Sequence, residues 1–139
     1  MRSVTSSRGR LTVRPSKFSA VIHHVSLDVS DLERSGRFYD SVLGSLGWRR
    51  QTDDSLAISW GIVRPIFFAA KRNGVKASAG HVCFAASGIS AVKASWEGGM
   101  AAGGTDDGAP GPRPEYGGSY YSAYLLDPDG HRIEIAVAS

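Results

Sequence analysis

An internal repeat constrains this chain more than any other feature. His24-Val25-Ser26-Leu27-Asp28-Val29-Ser30-Asp31-Leu32 lies over His81-Val82-Cys83-Phe84-Ala85-Ala86-Ser87-Gly88-Ile89 at a constant spacing of 57 residues. At that spacing His24, Val25, Ser30 and Leu32 fall on His81, Val82, Ser87 and Ile89, and Gly47 falls on Gly104. A repeat of this kind means one supersecondary unit built twice, each copy needing the other to bury its apolar face.

Each copy opens with a strand. Val25, Leu27 and Val29 alternate with His24, Ser26 and Asp28, the period of a sheet with one face on a core. A helix follows, with Ser30 and Glu33 as an expected capping box and Leu32, Tyr39, Val42, Leu43 and Leu46 at helical spacing. The second helix carries Ile89, Val92 and Trp96 and is expected to end near the glycines at 98–99 and 103–104. Strands are predicted over 47–52, 55–61 and 64–71, then, beyond a polar linker at 72–79, near 104–107, over Tyr120 to Leu126 and over Arg132 to Val137. A Gly/Pro-rich loop is expected at 108–118, and Asp127-Pro128-Asp129-Gly130 reads as the last turn. Each copy is therefore βαβββ, in an α+β fold of two modules.

Composition narrows the function classes. Of the 139 residues, 42% are apolar and 21% charged, ordinary for a globular domain. No apolar run approaches the roughly 20 residues of a membrane helix, so no membrane partner is expected. The formal charge of +3 sits in an arm: residues 1–20 hold Arg2, Arg8, Arg10, Arg14 and Lys17 and no acid, and the remainder carries a net −2. Residues 1–19 are expected to be a disordered basic extension, because they lack the apolar pattern that would offset ordering entropy. A nucleic-acid arm and an organelle transit peptide are the alternatives for such a stretch; no nucleic-acid partner is expected for the body, residues 20–139. The single cysteine, Cys83, excludes an internal disulfide and a CxxC metal site, and reads as a small core residue in a cytoplasmic protein.

On the first strand of each module His24 and His81 stand opposite the apolar set. On the last strand Ile133, Ile135 and Val137 share one face, which turns Glu134 to the other. Two imidazoles and a carboxylate on one face are the donor set of a 2-His-1-carboxylate metal site. Strand alternation leaves open three unrelated polar residues on a solvated face. His131, beside the turn, reads as a surface residue.

The stretch Ile22-His23-His24-Val25-Ser26-Leu27-Asp28-Val29 with Asp31-Leu32-Glu33-Arg34-Ser35 and Phe38-Tyr39, then Gly80-His81-Val82-Cys83-Phe84, then Leu126-Asp127-Pro128-Asp129-Gly130-His131-Arg132-Ile133-Glu134, resembles the glyoxalase / bleomycin resistance / extradiol dioxygenase superfamily in order and spacing. The resemblance covers about residues 20–138. It implies two modules, about 20–71 and 79–138, whose mixed sheet curls around a cavity with helices on the outer face. It further implies His24, His81 and Glu134 as ligands of a divalent metal (Fe, Mn, Zn, Ni or Co), a small-molecule substrate with chelating oxygens, and a homodimer. Lyase, isomerase and dioxygenase chemistries all fit; the alternative is a metal-free drug-binding protein without turnover.

Two departures refine this expectation. Four-ligand members place a glutamate on the last strand of the first module. With Ile66 and Phe68 read as helix-facing, Phe67 occupies that place, so glyoxalase I activity is not expected. The histidine of the dioxygenase signature is missing from Arg113 to Ser119. Arg113, Glu115, Tyr116, Tyr120 and Tyr121 cluster in or after the long loop, and Arg with Tyr suits an anionic or aromatic ligand. From these, Arg113, Tyr116 and Tyr121, with Phe67 and Trp60, are the expected substrate contacts; core filling is the other reading for Trp60 and Phe67.

Overall fold

The repeat is realised almost residue for residue. In the computed structural model, which describes residues 4–7, 10–13 and 21–138, two helices occupy Leu32–Gly44 (α1) and Ile89–Ala101 (α2), of 13 residues each. The strands are Val4–Ser7 (β1), Arg10–Val13 (β2), Val25–Val29 (β3), Arg49–Asp53 (β4), Ala57–Gly61 (β5), Phe67–Lys71 (β6), His81–Ala85 (β7), Thr105–Pro112 (β8), Tyr121–Leu126 (β9) and Arg132–Val137 (β10). Sheet order is β3-β6-β5-β4 in the first module and β7-β10-β9-β8 in the second, the same topology twice. In each module the first strand pairs in parallel with the last and the others run antiparallel. β1 and β2 pair as an antiparallel ribbon; the expected disordered extension, residues 1–19, otherwise lies outside the described residues. No helix among the described residues is long and apolar enough to cross a membrane.

One core runs through both modules. Val29, Phe38, Tyr39, Val42, Leu43, Trp60, Val92, Leu125, Ile133 and Ile135 are fully buried, so the helices pack on the apolar faces of the sheets and on each other. α2 ends at Ala101, between the two glycine pairs expected to bound it, and runs through the first pair, Gly98 and Gly99. They lie where it crosses α1: a Cβ on Gly99 would stand 2.5 Å from Leu125 and 2.8 Å from Val42. Ser95, buried beside them, donates to the carbonyl of Val42 at 2.8 Å.

The turn between β9 and β10 joins the modules. Tyr39 of α1 donates its hydroxyl to Asp127 at 2.6 Å, and Asp127 also accepts from the backbone N–H groups of Asp129 and His131. Asp129 holds Ser30 and Arg34 at the start of α1. Ser30 is thereby diverted from the expected capping box, and Asp31 caps the helix by accepting from the Arg34 N–H at 3.0 Å. His131 is not a surface residue: it is 3% exposed. Its Nδ1 accepts from the Ser78 N–H at 3.0 Å, and its Nε2 donates to the Asp28 carbonyl at 2.6 Å.

The first part of the expected long loop, 108–112, is strand. β8 continues to Pro112 because two irregularities, between Asp106 and Gly108 and between Gly108 and Gly111, let a glycine-rich segment keep pairing with β9. A 3-10 turn, Pro114–Tyr116, follows.

Candidate functional site

The open face of the second sheet gathers the polar residues. In β7, Val82 and Phe84 turn to the core, leaving His81 and Cys83 on the opposite face. Cys83 pairs with Glu134, and Glu134 with Tyr124, so residues from three strands meet there. Glu134 is 3% exposed and accepts at each oxygen, from His81 Nε2 at 3.0 Å and from the Tyr120 hydroxyl at 2.8 Å. Burial pushes its carboxyl up, but the bonds from Tyr120 and His81 outweigh this, and the group lies below its ordinary value. An ionised carboxylate only accepts, so the hydrogen in the short contact belongs to His81 Nε2.

The same carboxylate discourages ionisation around it. Burial and then Glu134 push the Tyr124 phenol up to about 12 and raise Tyr120 further still. Cys83, expected in the core, is exposed on this face, because strand parity places it with His81. Although the residue is exposed, its sulfur is half-buried; that and the Glu134 charge push the thiol up to about 12, so it is a neutral thiol and not an activated nucleophile.

His24 stands just before β3, at the edge of the other module's sheet. Its Nδ1 lies 2.9 Å from His23 Nδ1, and its ring packs edge-on against Phe68 at 5.4 Å. The chain thus brings His81 and Glu134 together and leaves His24 apart; among the described residues no group of three or more His, Cys, Asp or Glu side chains is placed to hold one metal ion.

The register expected for β6 is shifted by one. Phe67 pairs with the core-facing Val25, is 1% exposed, and packs against Tyr39 and Trp60 with Phe84 beyond. Neighbouring residues in register point to the same side of a sheet, so Phe67 belongs to the helix side. What it lines is an apolar groove of about 340 Å³ along β7, shared with Val25, Trp48 and Phe84. Phe68, opposite Ser26, faces the open side and occupies in the first module the place of Glu134 in the second. Trp60 is fully buried and donates its indole N–H to Asp40 at 3.0 Å; it is a core residue. Tyr121 also packs against the core, on the side of Ala123 and Leu125.

Arg113 and Tyr116 stand in the same cleft as His81. With His81, Asp107, Tyr124 and Arg132 they line a cleft of about 470 Å³. Tyr124, Arg132 and Asp107 were not among the expected contacts, and it is Tyr120, not Tyr121, that bonds Glu134. Parity held the signal: on β9 the even positions share the face of Glu134 once Leu125 is assigned to the core.

A model of the Glyoxalase/Bleomycin resistance protein/Dioxygenase superfamily matches residues 21–135. No functionally curated protein matches the chain. Among solved structures, a glyoxalase/bleomycin resistance protein from Albidiferax ferrireducens T118 is 32% identical, with TM-score 0.76 over 83% of this chain and 97% of that one. A fosfomycin resistance protein from Mesorhizobium loti is 21% identical, with TM-score 0.64 over 86% and 93% of the two chains. A lactoylglutathione lyase from Agrobacterium tumefaciens is 20% identical, with TM-score 0.61 over 84% and 92%. At the last two identities the likeness is one of fold alone.

Proposed function

The chain belongs to the glyoxalase/bleomycin resistance/dioxygenase superfamily, and from that premise we propose a divalent-metal-dependent enzyme that acts on a small organic substrate through chelating oxygens. The observation that carries the reading is the pair His81 Nε2 and Glu134 Oε1, 3.0 Å apart on the open sheet face. Two donors each about 2.1 Å from one ion and at right angles stand about 3.0 Å apart, so the pair has the spacing of adjacent ligands. The donor types suit Fe, Mn, Zn, Ni or Co. His81 would give up its Nε2 hydrogen on binding, and Tyr120 would keep Glu134 oriented through its other oxygen.

One chain supplies two of the three donors. His24 completes the set when it comes from a second copy, and the exposed faces of β3 and β7 leave both histidines open to such a copy. The protein is accordingly read as a homodimer with a metal between subunits. The bound metal would act as a Lewis acid, stabilising negative charge on a substrate oxygen. The chain's own groups bind and orient: Arg113, Tyr116 and Tyr124 line the space beside His81. Lyase, isomerase and dioxygenase reactions all remain within this reading. Glyoxalase I does not, because Phe68 stands where a fourth, carboxylate ligand would lie.

The alternative, a metal-free binding protein, draws on the same pair: the hydrogen bond satisfies His81 and Glu134 without an ion, and Tyr116, Tyr120 and Tyr124 offer aromatic surface. Metal analysis of protein purified without chelators separates the two. Stoichiometric divalent metal, lost in His24→Ala, His81→Ala and Glu134→Ala, is expected. Metal retained in all three variants refutes the ligand set, and tight ligand binding by metal-free wild type favours the alternative. Sedimentation should give a dimer; a monomer at tens of micromolar, on the order of concentrations well above a tight dimer's Kd, refutes the shared site.

A further inference from the structure

The cleft beside His81 contains a cation, Arg113, that is tied back to its own strand. Arg113 follows the irregular end of β8 and folds back across it, its Nη2 donating to the carbonyl of Ala109 at 2.8 Å. Two glycines of the same segment flank it closely. A Cβ on Gly108 would lie 3.4 Å from Nη2, and one on Gly111 3.3 Å from Nη1. Gly108 moreover has φ +152, a backbone conformation that side-chain-bearing residues rarely adopt. The guanidinium is thus cradled by its own strand and held 6.0 Å from the ring centroid of Tyr124. Among the described residues no carboxylate pairs with it.

Arg132 approaches the same ring at 4.6 Å, and its Nε donates to Asp107 at 2.6 Å. Asp107 therefore offsets one guanidinium of the two. Glu115 also lines the cleft, from the exposed 3-10 turn. Two planar forks on one aromatic ring, one of them without a counter-charge, form a recognition element for an oxyanion. Tyr124 joins this element to the rest of the site, since it is the cross-strand partner of Glu134 and its ring stands 5.7 Å from that of His81.

The geometry points to an anion subsite: the substrate carries a carboxylate or phosphoryl-type group that Arg113 and Arg132 take, while its other end lies toward His81 and Glu134. This assignment rests on reading the face as a substrate site and names the substrate class, a small organic anion; it does not depend on the metal.

Calorimetric titration of the full chain, as purified, with benzoate, phenylphosphonate and the neutral benzamide tests it. The anions should bind at least roughly 10-fold more tightly than the amide, as charge-assisted hydrogen bonds allow. Arg113→Gln should remove most of that preference, weakening the anions far more than benzamide, Arg132→Gln should remove less, and Glu115→Gln should strengthen it. Phenylphosphonate binding well above benzoate assigns a phosphoryl-type group, and parity assigns a carboxylate. A wild-type protein without anion preference overturns the subsite, as does a preference that survives in the Arg113→Gln/Arg132→Gln protein. Metal content is measured on the same samples, and His81→Ala is titrated in parallel. An anion preference that persists in His81→Ala or in metal-free protein supports the subsite even where the enzyme reading fails; one abolished there but intact in Arg113→Gln means the anions sit on the metal, and overturns it.

Discussion

Removing one hydroxyl at the junction of the modules should cost more at neutral pH than in acid. Tyr39 is fully buried, and its hydroxyl donates to Asp127 at 2.6 Å. Burial pushes the Asp127 carboxyl above its ordinary value, against the pull of the bonds from Tyr39 and His131. The folded protein therefore holds a proton at this group more readily than the unfolded chain. Its contribution to stability is present below the ordinary carboxylate range and is lost as pH rises through the folded value. Tyr39→Phe leaves the ring in place and takes one donor from a buried carboxylate. At neutral pH that costs about 2–3 kcal/mol, the worth of a hydrogen bond to a charged group. For a domain of this size it corresponds to a fall in Tm of roughly 6–12 °C. In acid the carboxyl is neutral and the loss shrinks toward about 1 kcal/mol. The assay is urea unfolding of wild type and variant at neutral pH and again at the lowest pH where both remain folded. A difference below about 1 kcal/mol at neutral pH, or one that grows on acidification, refutes the argument.

Three further outcomes are expected. His131→Phe removes the bonds to Ser78 and Asp28 and should destabilise by about 2–3 kcal/mol in the same assay, while His23→Phe, at an exposed residue, should stay within about 0.5 kcal/mol. Phe68→Glu should fold and tighten divalent-metal binding on the order of ten-fold, an added interaction of about 1.4 kcal/mol, whereas Phe67→Glu should fail to fold because it buries an unpaired charge; calorimetry and circular dichroism check both, and the reverse pattern restores the other register. Cys83 should react with a disulfide reagent at pH 8 at least about 100-fold more slowly than free cysteine, since its thiol is pushed up to about 12, and Glu134→Gln should speed the reaction by removing the charge that helps raise it.

The sequence by itself determined the architecture. A spacing of 57 relates the two helices in the folded chain to the residue, since Leu32–Gly44 and Ile89–Ala101 differ by that number at each end. Period-two alternation put Glu134 opposite Ile133 and Ile135 and put His81 on the open face, because a strand's side chains must alternate and only one set can enter a core. What tertiary structure alone decided is which apolar side enters. In Ile66-Phe67-Phe68 every residue is apolar, so hydrophobicity carries no parity; pairing with Val25 chose Phe67 for the core and Phe68 for the open face. Tyr120-Tyr121 posed the same ambiguity, and pairing of β9 with β10 chose Tyr120 for Glu134. Ser30 and His131 were misread for a different reason. Their partners, Asp129 and the carbonyl of Asp28, lie about a hundred positions away in the chain, and a local pattern cannot register a hydrogen bond that exists only once the second module has docked on the first.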